Sequence, residues 1–313
     1  MKHVVTLTMN PAIDKSATAA HIIAEQKIRC ENIKFEPGGG GINVSRAIKK
    51  LGDTSLAVFP AGGHSGELLK KLLSDEDIAQ APVSVNEWTR ENFIVVDSST
   101  NQQFRFGMPG HTLSEAEADN CLDFLRNLSP KPEFLVASGS LPPGLPSNFF
   151  AKVARVAKEI GAKFILDTSG EPLREAANEG VYLLKPNLGE LSKLAGVDSL
   201  EMDMVDDVAR EIIAKGNCEV VVVSLGPAGA MLVTADIVEH ILAPPVLKKS
   251  TVGAGDSMVA GMVWSLAQEK SHREMIRFGV ACGTGATMNT GTELFRKADV
   301  EKLYQWILAK CPL

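Results

Sequence analysis

Nowhere does this chain approach the roughly 18 consecutive apolar residues that a membrane helix requires. Its five cysteines, Cys30, Cys121, Cys218, Cys282 and Cys311, are odd in number, widely spread and without a C-x-x-C pair. That excludes a disulfide framework and a cysteine-held zinc site, and it predicts a reducing, cytoplasmic setting. The six histidines, His3, His21, His64, His111, His240 and His272, lack metal-ligand spacing. Lysine and arginine never cluster, and the formal net charge over 313 residues is −6. The electrostatic footprint of a binder of nucleic acid or of an anionic membrane surface is missing, so neither partner is expected. Any anionic ligand must be held by local geometry. The first residues are broken by threonines and closed by Asn10-Pro11 and Asp14, too short and polar a start for a signal peptide. Internal repeats, low-complexity tracts and Pro/Gly-rich linkers are missing too. Neither G-x-x-x-x-G-K-[ST] nor G-x-G-x-x-G occurs, so the glycines serve neither the standard P-loop nor the dinucleotide fingerprint.

What is present is an alternation of short apolar runs and helical periods, with an ordinary apolar share of 45%. Residues 4–7 and 28–35 read as strands, the second running into Glu36-Pro37 and four consecutive glycines. Helical spacing covers 42–51, then strand 56–59 and helix 66–73 follow. Residues 93–96 and 103–106 are strand-like with no helix between them. Ser114 and Glu117 form a capping box before a helix to about 128. The rhythm continues with strand 134–137, helix 147–160, strands 164–166 and 182–184, helices 187–194 and 204–215, and strand 220–224. A hairpin over 231–233 and 237–242 and three helices beginning near Asp256, Arg273 and Lys297 follow. This alternation predicts an α/β fold with a mainly parallel sheet covered on both faces. The strand-rich segments 15–36 and 87–108 break the rhythm twice. They are expected to form one small β sheet over the main domain, a lid; the competing reading is two hairpins on the edge of the main sheet.

Five constellations could carry chemistry. Gly253-Ala254-Gly255-Asp256 opens a helix, where outward N–H groups stabilise an anion and an aspartate can accept a hydroxyl proton. The bland alternative is a glycine turn with an N-cap aspartate. Gly38-Gly39-Gly40-Gly41-Ile42-Asn43 either lets backbone approach a ligand, with Asn43 donating and accepting, or is a flexible loop. Lys185-Pro186-Asn187-Leu188-Gly189-Glu190 closes a strand and opens a helix at a carboxyl end of the sheet, where ligands of open α/β folds collect. Glu190 there can cap the helix and still orient a water on Mg²⁺. Ser224-Leu225-Gly226-Pro227-Ala228-Gly229 repeats the strand-to-glycine-loop arrangement. Asp14, Lys27, Arg90 and Arg105 fall in or beside the lid-like segments. They suit a phosphorylated polyol, although exposed strand arginines are usually just solvated.

Together with Ser138-Gly139-Ser140-Leu141-Pro142-Pro143-Gly144 and Ser250-Thr251-Val252 ahead of the Gly253 turn, these motifs resemble the ribokinase-like, or PfkB, sugar kinases over essentially the whole chain. Trp88-Thr89-Arg90 and Phe104-Arg105-Phe106-Gly107-Met108-Pro109-Gly110 are similar to lid segments of the 6-phosphofructokinase branch. The resemblance implies one kinase domain over 1–313, with a Rossmann-like core, a β-sheet lid and a homodimer made through the lids. It implies transfer of the γ-phosphoryl of ATP, as its Mg²⁺ complex, to fructose 6-phosphate, with tagatose 6-phosphate or fructose 1-phosphate as alternative acceptors. A catalytically silent sugar-phosphate-binding regulator is the alternative of a different class. By the same resemblance Asp256 is the base, and Gly253 and Gly255 form the anion hole. Asp14, Gly39, Gly40, Asn43, Arg90, Arg105 and Ser140 contact the sugar phosphate, and Lys27 does so across the dimer. Lys185, Asn187, Ser224, Gly226, Gly229 and Thr284 contact ATP, and Glu190 reaches Mg²⁺ through water. Ser250, Val252, Ala286, Asn289 and Gly291 line a monovalent-cation loop, with K⁺ the expected ion. Lys248 and Glu293 stand where that family has a serine and an arginine.

Overall fold

The computed structural model describes residues 3–290 and 292–310. In chain order the first half forms β1 (Val4–Leu7), β2 (Ala12–Ala19), β3 (Cys30–Gly38), α1 (Gly40–Lys50), β4 (Leu56–Ala61), α2 (Gly63–Asp75), β5 (Ala79–Ser84), β6 (Arg90–Asp97), β7 (Gln102–Phe106) and α3 (Glu115–Arg126). The second half forms β8 (Phe134–Ser138), α4 (Phe149–Ile160), β9 (Lys163–Asp167), α5 (Gly170–Glu179), β10 (Val181–Leu184), α6 (Leu188–Ala195), α7 (Val205–Ala214) and β11 (Cys218–Ser224). It closes with β12 (Ala230–Val233), β13 (Val238–Ile241), α8 (Ala254–Ala267), α9 (His272–Thr287) and α10 (Lys297–Lys310).

Among the described residues, nine strands make one sheet in the order β13-β12-β11-β10-β9-β8-β1-β4-β5. Pairing is parallel except at β11–β12 and β12–β13, which form the expected antiparallel hairpin. Side chains of a strand alternate between faces, and both faces here are apolar. Val221 and Val223 of β11 join a core with α3 to α7, while Val220 and Val222 join the opposite core with α1 and α8 to α10. Covered faces of this kind are what a parallel sheet requires. Because β1, β8, β9, β10 and β11 run the same way, their carboxyl ends share one rim. Thr8, Ser138, Asp167, Lys185 and Ser224 all stand on that rim, at or just past a strand's last residue.

The two strand-rich segments do form one separate sheet, β3-β2-β6-β7, and are not hairpins on the edge of the main sheet. Its strands extend the expected segments slightly, since β2 begins at Ala12 and β3 runs on to Gly38, with Ala12 opposite Gly38. The glycine run is therefore no flexible loop. Gly38 ends β3, Gly40 opens α1, and Gly39 lies between them with φ 111°. Gly38 is required where it is, since a Cβ there would come within 2.4 Å of the Asp14 carboxylate.

Two elements escaped the periodicity. α5 carries Pro172 in its first turn, where the missing N–H has no intrahelical acceptor to lose. β5 contains Pro82 and sits at the edge of the main sheet, where proline is tolerated. The expected capping box at Ser114 and Glu117 is formed on α3. No helix among the described residues is long and apolar enough to cross a membrane.

Candidate active site

α8 starts after Gly253, whose φ of 70° lies in the left-handed region open to glycine. Asp256 is the third residue of the helix and makes no capping hydrogen bond, so it is not an ordinary N-cap. Its carboxylate is instead held from two sides. Asn43 Nδ2, on α1, donates to Oδ2 at 3.0 Å, and Ser138 Oγ, ending β8, donates to Oδ1 at 3.1 Å. Burial, then the negative charge of Asp167, raises this carboxyl to about 6, against the pull of Asn43, Ser138 and Lys185. A carboxylate so tuned accepts a proton near neutrality. The first-turn amides of a helix lack intrahelical acceptors, so the Gly253–Gly255 turn presents N–H groups and the positive helix end beside this carboxylate.

Lys185 lies next to this turn. It is 6% exposed, and its Nζ stands 3.2 Å from Asp167 Oδ1. Burial opposes its charge, but Asp167 and, further off, Glu190 and Asp256 outweigh that and leave its pKa raised. A Cβ at Gly255 would sit 3.7 Å from Lys185 Nζ and 3.8 Å from Asp167 Oδ2, so glycine keeps the approach to both open. Asn187 and Glu190 form the reciprocal cap of α6, each bond 2.9 Å long. Only Oε2 of Glu190 is used in it. Asn187 also bridges to Ser224. Beyond them a cleft of about 590 Å³ is lined by Ser224, Gly226, Gly229, Thr251, Gly255 and Thr284. The exposed Lys248 stands on its wall.

The rim of the small sheet joins the site through the β3–α1 junction, where Gly38 packs on Asp14 and Asn43 donates to Asp256. Opposed residues of neighbouring strands share a face, so Asp14 and Asn92, and Ile94 and Arg105, are same-face pairs. Asn92 Nδ2 donates to Asp14 Oδ1 at 2.8 Å. Burial raises the Asp14 carboxyl, offset in part by Asn92 and Arg90. Arg90 spends one N–H each of Nη1 and Nη2 on the carbonyls of Met108 and Asn10, at 2.6 and 2.9 Å, while its buried Nε has no partner. Asn10 donates to Ser140 Oγ at 3.3 Å, bringing the Ser138–Ser140 loop beside the arginine. Gly40 packs on Ser138 so closely that a Cβ would lie 2.3 Å from its Oγ.

Most of the expected residues thus converge, but two do not within one chain. Arg105 is exposed and donates to Gln103 at 2.9 Å, and Lys27 is exposed in the turn between β2 and β3. Of the expected cation loop, Ser250 N donates to Thr287 O, Val252 N to Ser250 Oγ and Asn289 N to Ala286 O, which packs these residues together. Gly291 lies outside the described residues. Sequence reasoning missed Asp167, Asn10, Asn92 and the role of Ser138 as partner of Asp256. For Asp167 a signal existed: it is a carboxylate ending an apolar strand of a parallel sheet, the same criterion that singled out Lys185.

A Rossmann-like core, a side sheet, a cleft of about 590 Å³ and a buried carboxylate at a glycine-rich helix start suit the class of ribokinase-like phosphotransferases. Comparison agrees: the model of the pfkB family of carbohydrate kinases matches residues 4–297, and the chain belongs to that family. It is 43% identical over 308 residues to the ATP-dependent 6-phosphofructokinase isozyme 2 of Escherichia coli strain K12, covering 98% of this chain and 99% of that one. The structure of the Escherichia coli phosphofructokinase-2 with fructose-6-phosphate superposes with a TM-score of 0.92 at 41% identity, over 98% of this chain and 99% of that one. A structure of the same Escherichia coli protein with potassium has a TM-score of 0.93 at 43% identity and the same coverage. The 1-phosphofructokinase of Bacillus subtilis is more distant, 31% identical over 93% of this chain and 95% of that one.

Proposed function

We propose that this kinase transfers the γ-phosphoryl group of ATP to fructose 6-phosphate, giving fructose 1,6-bisphosphate and ADP. The observation that carries the reading is Asp256, raised to about 6 and held by Asn43 and Ser138 at the start of α8, next to Gly255 on the cleft wall. Asp256 takes the proton of the acceptor hydroxyl, while the Gly253 and Gly255 amides and Lys185 face the charge on the transferring group. Phosphoryl transfer is mostly positioning and electrostatics, which suits this set of groups. Asp14 accepts from sugar hydroxyls, and Arg90, Arg105, Ser140 and the backbone at Gly39 and Gly40 receive the phosphorylated end. Ser224, Gly226, Gly229 and Thr284 receive the nucleotide. The greater distance of the 1-phosphofructokinase relative, against 43% identity to the 6-phosphofructokinase, favours fructose 6-phosphate over fructose 1-phosphate. Coupled ADP release with fructose 6-phosphate, tagatose 6-phosphate and fructose 1-phosphate tests it. The largest kcat/KM is expected with the first, and a larger value with either of the others rejects the substrate.

Magnesium enters as the ATP complex. Among the described residues no three His, Cys, Asp or Glu side chains converge on a metal site, which fits an ion brought by phosphate oxygens and reached by Glu190 through water. When bound, the ion neutralises charge on the β- and γ-oxygens. Glu190→Gln keeps the capping geometry and removes the charge. The Mg²⁺ concentration for half-maximal rate should rise severalfold with Tm little changed, and an unchanged requirement leaves Glu190 only its cap. K⁺ fits the carbonyl-rich loop around Ser250, Val252, Ala286 and Asn289; exchange of K⁺ for a bulky ammonium ion should then slow turnover, and equal rates would remove the ion from the account.

The small sheet acts as a lid on one kinase domain, and two lids pack against each other. Phe35, Phe104 and Phe106, on the face opposite Asp14 and Arg90, are 44, 37 and 50% exposed and form an apolar patch beyond the part of that face that α2 covers at Ile13. Lys27 then reaches the neighbouring subunit's site. Phe106→Asp should turn the dimer into monomer in sedimentation; a wild type already monomeric at micromolar concentration contradicts this. The four described cysteines are unpaired, which suits a cytoplasmic setting.

A further inference from the structure

Arg46, on α1, is 4% exposed and has no role assigned above, although its charge joins that of Arg90 in opposing the rise of the Asp14 carboxyl. It is nonetheless the junction of three segments. Its Nε and Nη2 form a two-pronged pair with Glu76, just past α2, at 2.7 Å each. Nη1 donates to Pro37 O of β3 at 3.0 Å and to Thr292 O, in the segment after α9, at 3.4 Å. Thr292 Oγ1 in turn donates to Glu36 of β3 at 2.6 Å, and Glu36 lies 3.6 Å from Arg46 Nη2. The remaining contact of Nη1 is Asn43 Oδ1 at 3.5 Å, one turn back on α1.

That last contact bears on the base. Asn43 has one amide between a guanidinium and a carboxylate, and both neighbours select the same orientation. Oδ1 faces the cation and Nδ2 donates to Asp256. Reversed, the amide would set its oxygen against the Asp256 carboxylate and its NH₂ against Arg46, two like-with-like contacts. We infer that Arg46 is a positioning residue: it locks the Asn43 amide toward Asp256 and ties that setting to the root of the lid strand β3. The inference rests on the kinase reading only for its kinetic consequence.

Loss of the lock lets Asn43 turn, and Asp256 loses a donor that favours its charged form. The other groups facing Asp256 are Ser138 from β8, Asp167 from β9 and Lys185 past β10; none of them contacts Arg46 in this structure. Arg46→Lys keeps the charge but cannot span Glu76, Pro37 and Asn43 at once. Expected are a kcat about tenfold lower, the size of a weakened bond to a charged group, and KM for ATP within about twofold. The proton affinity of Asp256, followed by ¹³C NMR of labelled aspartate and assigned with Asp256→Asn, should rise. In an Asn43→Ala background Arg46→Lys should add no further loss of kcat, because its effect runs through Asn43. Independent, multiplicative losses, or an Asp256 titration unmoved by Arg46→Lys, overturn the proposal. If Arg46→Lys does not fold, the paired change Arg46→Met with Glu76→Gln removes the close ion pair while Glu36 keeps its bond from Thr292 Oγ1, and the same readouts decide. A wild type that makes no ADP from any sugar phosphate rejects the kinase reading, while the NMR titration still decides the role of Arg46.

Discussion

Asp256→Asn lowers kcat by about 10²- to 10⁴-fold, the range lost with a general base, and leaves binding of both substrates in place. The same change stabilises the fold at alkaline pH. Burial and the Asp167 charge raise the folded carboxyl to about 6 from an ordinary 3.8. A carboxyl raised on folding holds its proton more tightly in the native state. Its stabilising contribution is complete below pH 3.8 and is lost as pH rises through about 6. At pH 8 the ionised group costs on the order of 2 kcal/mol, allowing for its partly exposed edge. Asparagine avoids that cost and, with its oxygen toward Asn43 and its NH₂ toward Ser138, keeps both bonds. Tm of the variant should exceed wild type at pH 8 and match it near pH 4. A variant that kept more than about a tenth of kcat would show that another group takes the proton. A lower Tm at pH 8 would show that Asp256 is not under the strain its surroundings imply.

Arg90→Ala raises KM for fructose 6-phosphate by roughly 10- to 150-fold, the equivalent of one lost charge-assisted hydrogen bond at about 1.5 to 3 kcal/mol. The further N–H groups of Nη1 and Nη2 are what Arg90 has left for a phosphate after serving Met108 and Asn10. Burial lowers its pKa, and Asp14 counters this, so it stays charged. Arg90→Lys should recover part of the loss, since it restores the charge and not the fork. The comparison acceptor is unphosphorylated fructose. Equal losses for both sugars would mean that Arg90 only braces the rim. Arg105→Ala, on an exposed side chain bonded to Gln103, should have the smaller effect unless a partner subunit covers it.

The fold was legible where periodicity was strong. Val220 to Val223, apolar on both faces, could only be a buried strand, and Asn187 with Glu190 announced the start of α6 from spacing alone. α5 and β5 were not, because a proline in each hides an element that tolerates it in the first turn or on an edge. The site divides in the same way. Asp256 and the glycines at 253 and 255 are contiguous in sequence and readable as a helix start. Asp167, Ser138 and Asn43 act on the same carboxylate from β9, β8 and α1, with Arg46 bonded to Asn43 behind them, and only tertiary convergence brings them together. A single polar residue ending an apolar strand, as Asp167 does, is a signal of a ligand rim and not of which side chain it will meet. Such residues come together once the parallel order of β1, β8, β9, β10 and β11 puts those strand ends on one rim.

The account stands on phosphoryl transfer to a sugar phosphate with Asp256 as the base, and ³¹P NMR of a single reaction follows that transfer directly. With ATP, Mg²⁺ and fructose 6-phosphate, the wild type should convert the γ-phosphate signal of ATP into a second sugar-ester signal, that of fructose 1,6-bisphosphate. Asp256→Asn should bind both substrates and leave the ATP signals unchanged over the same time. Growth of inorganic phosphate alone, intact ATP in the presence of bound wild-type protein, or equal ester formation by the variant would contradict it.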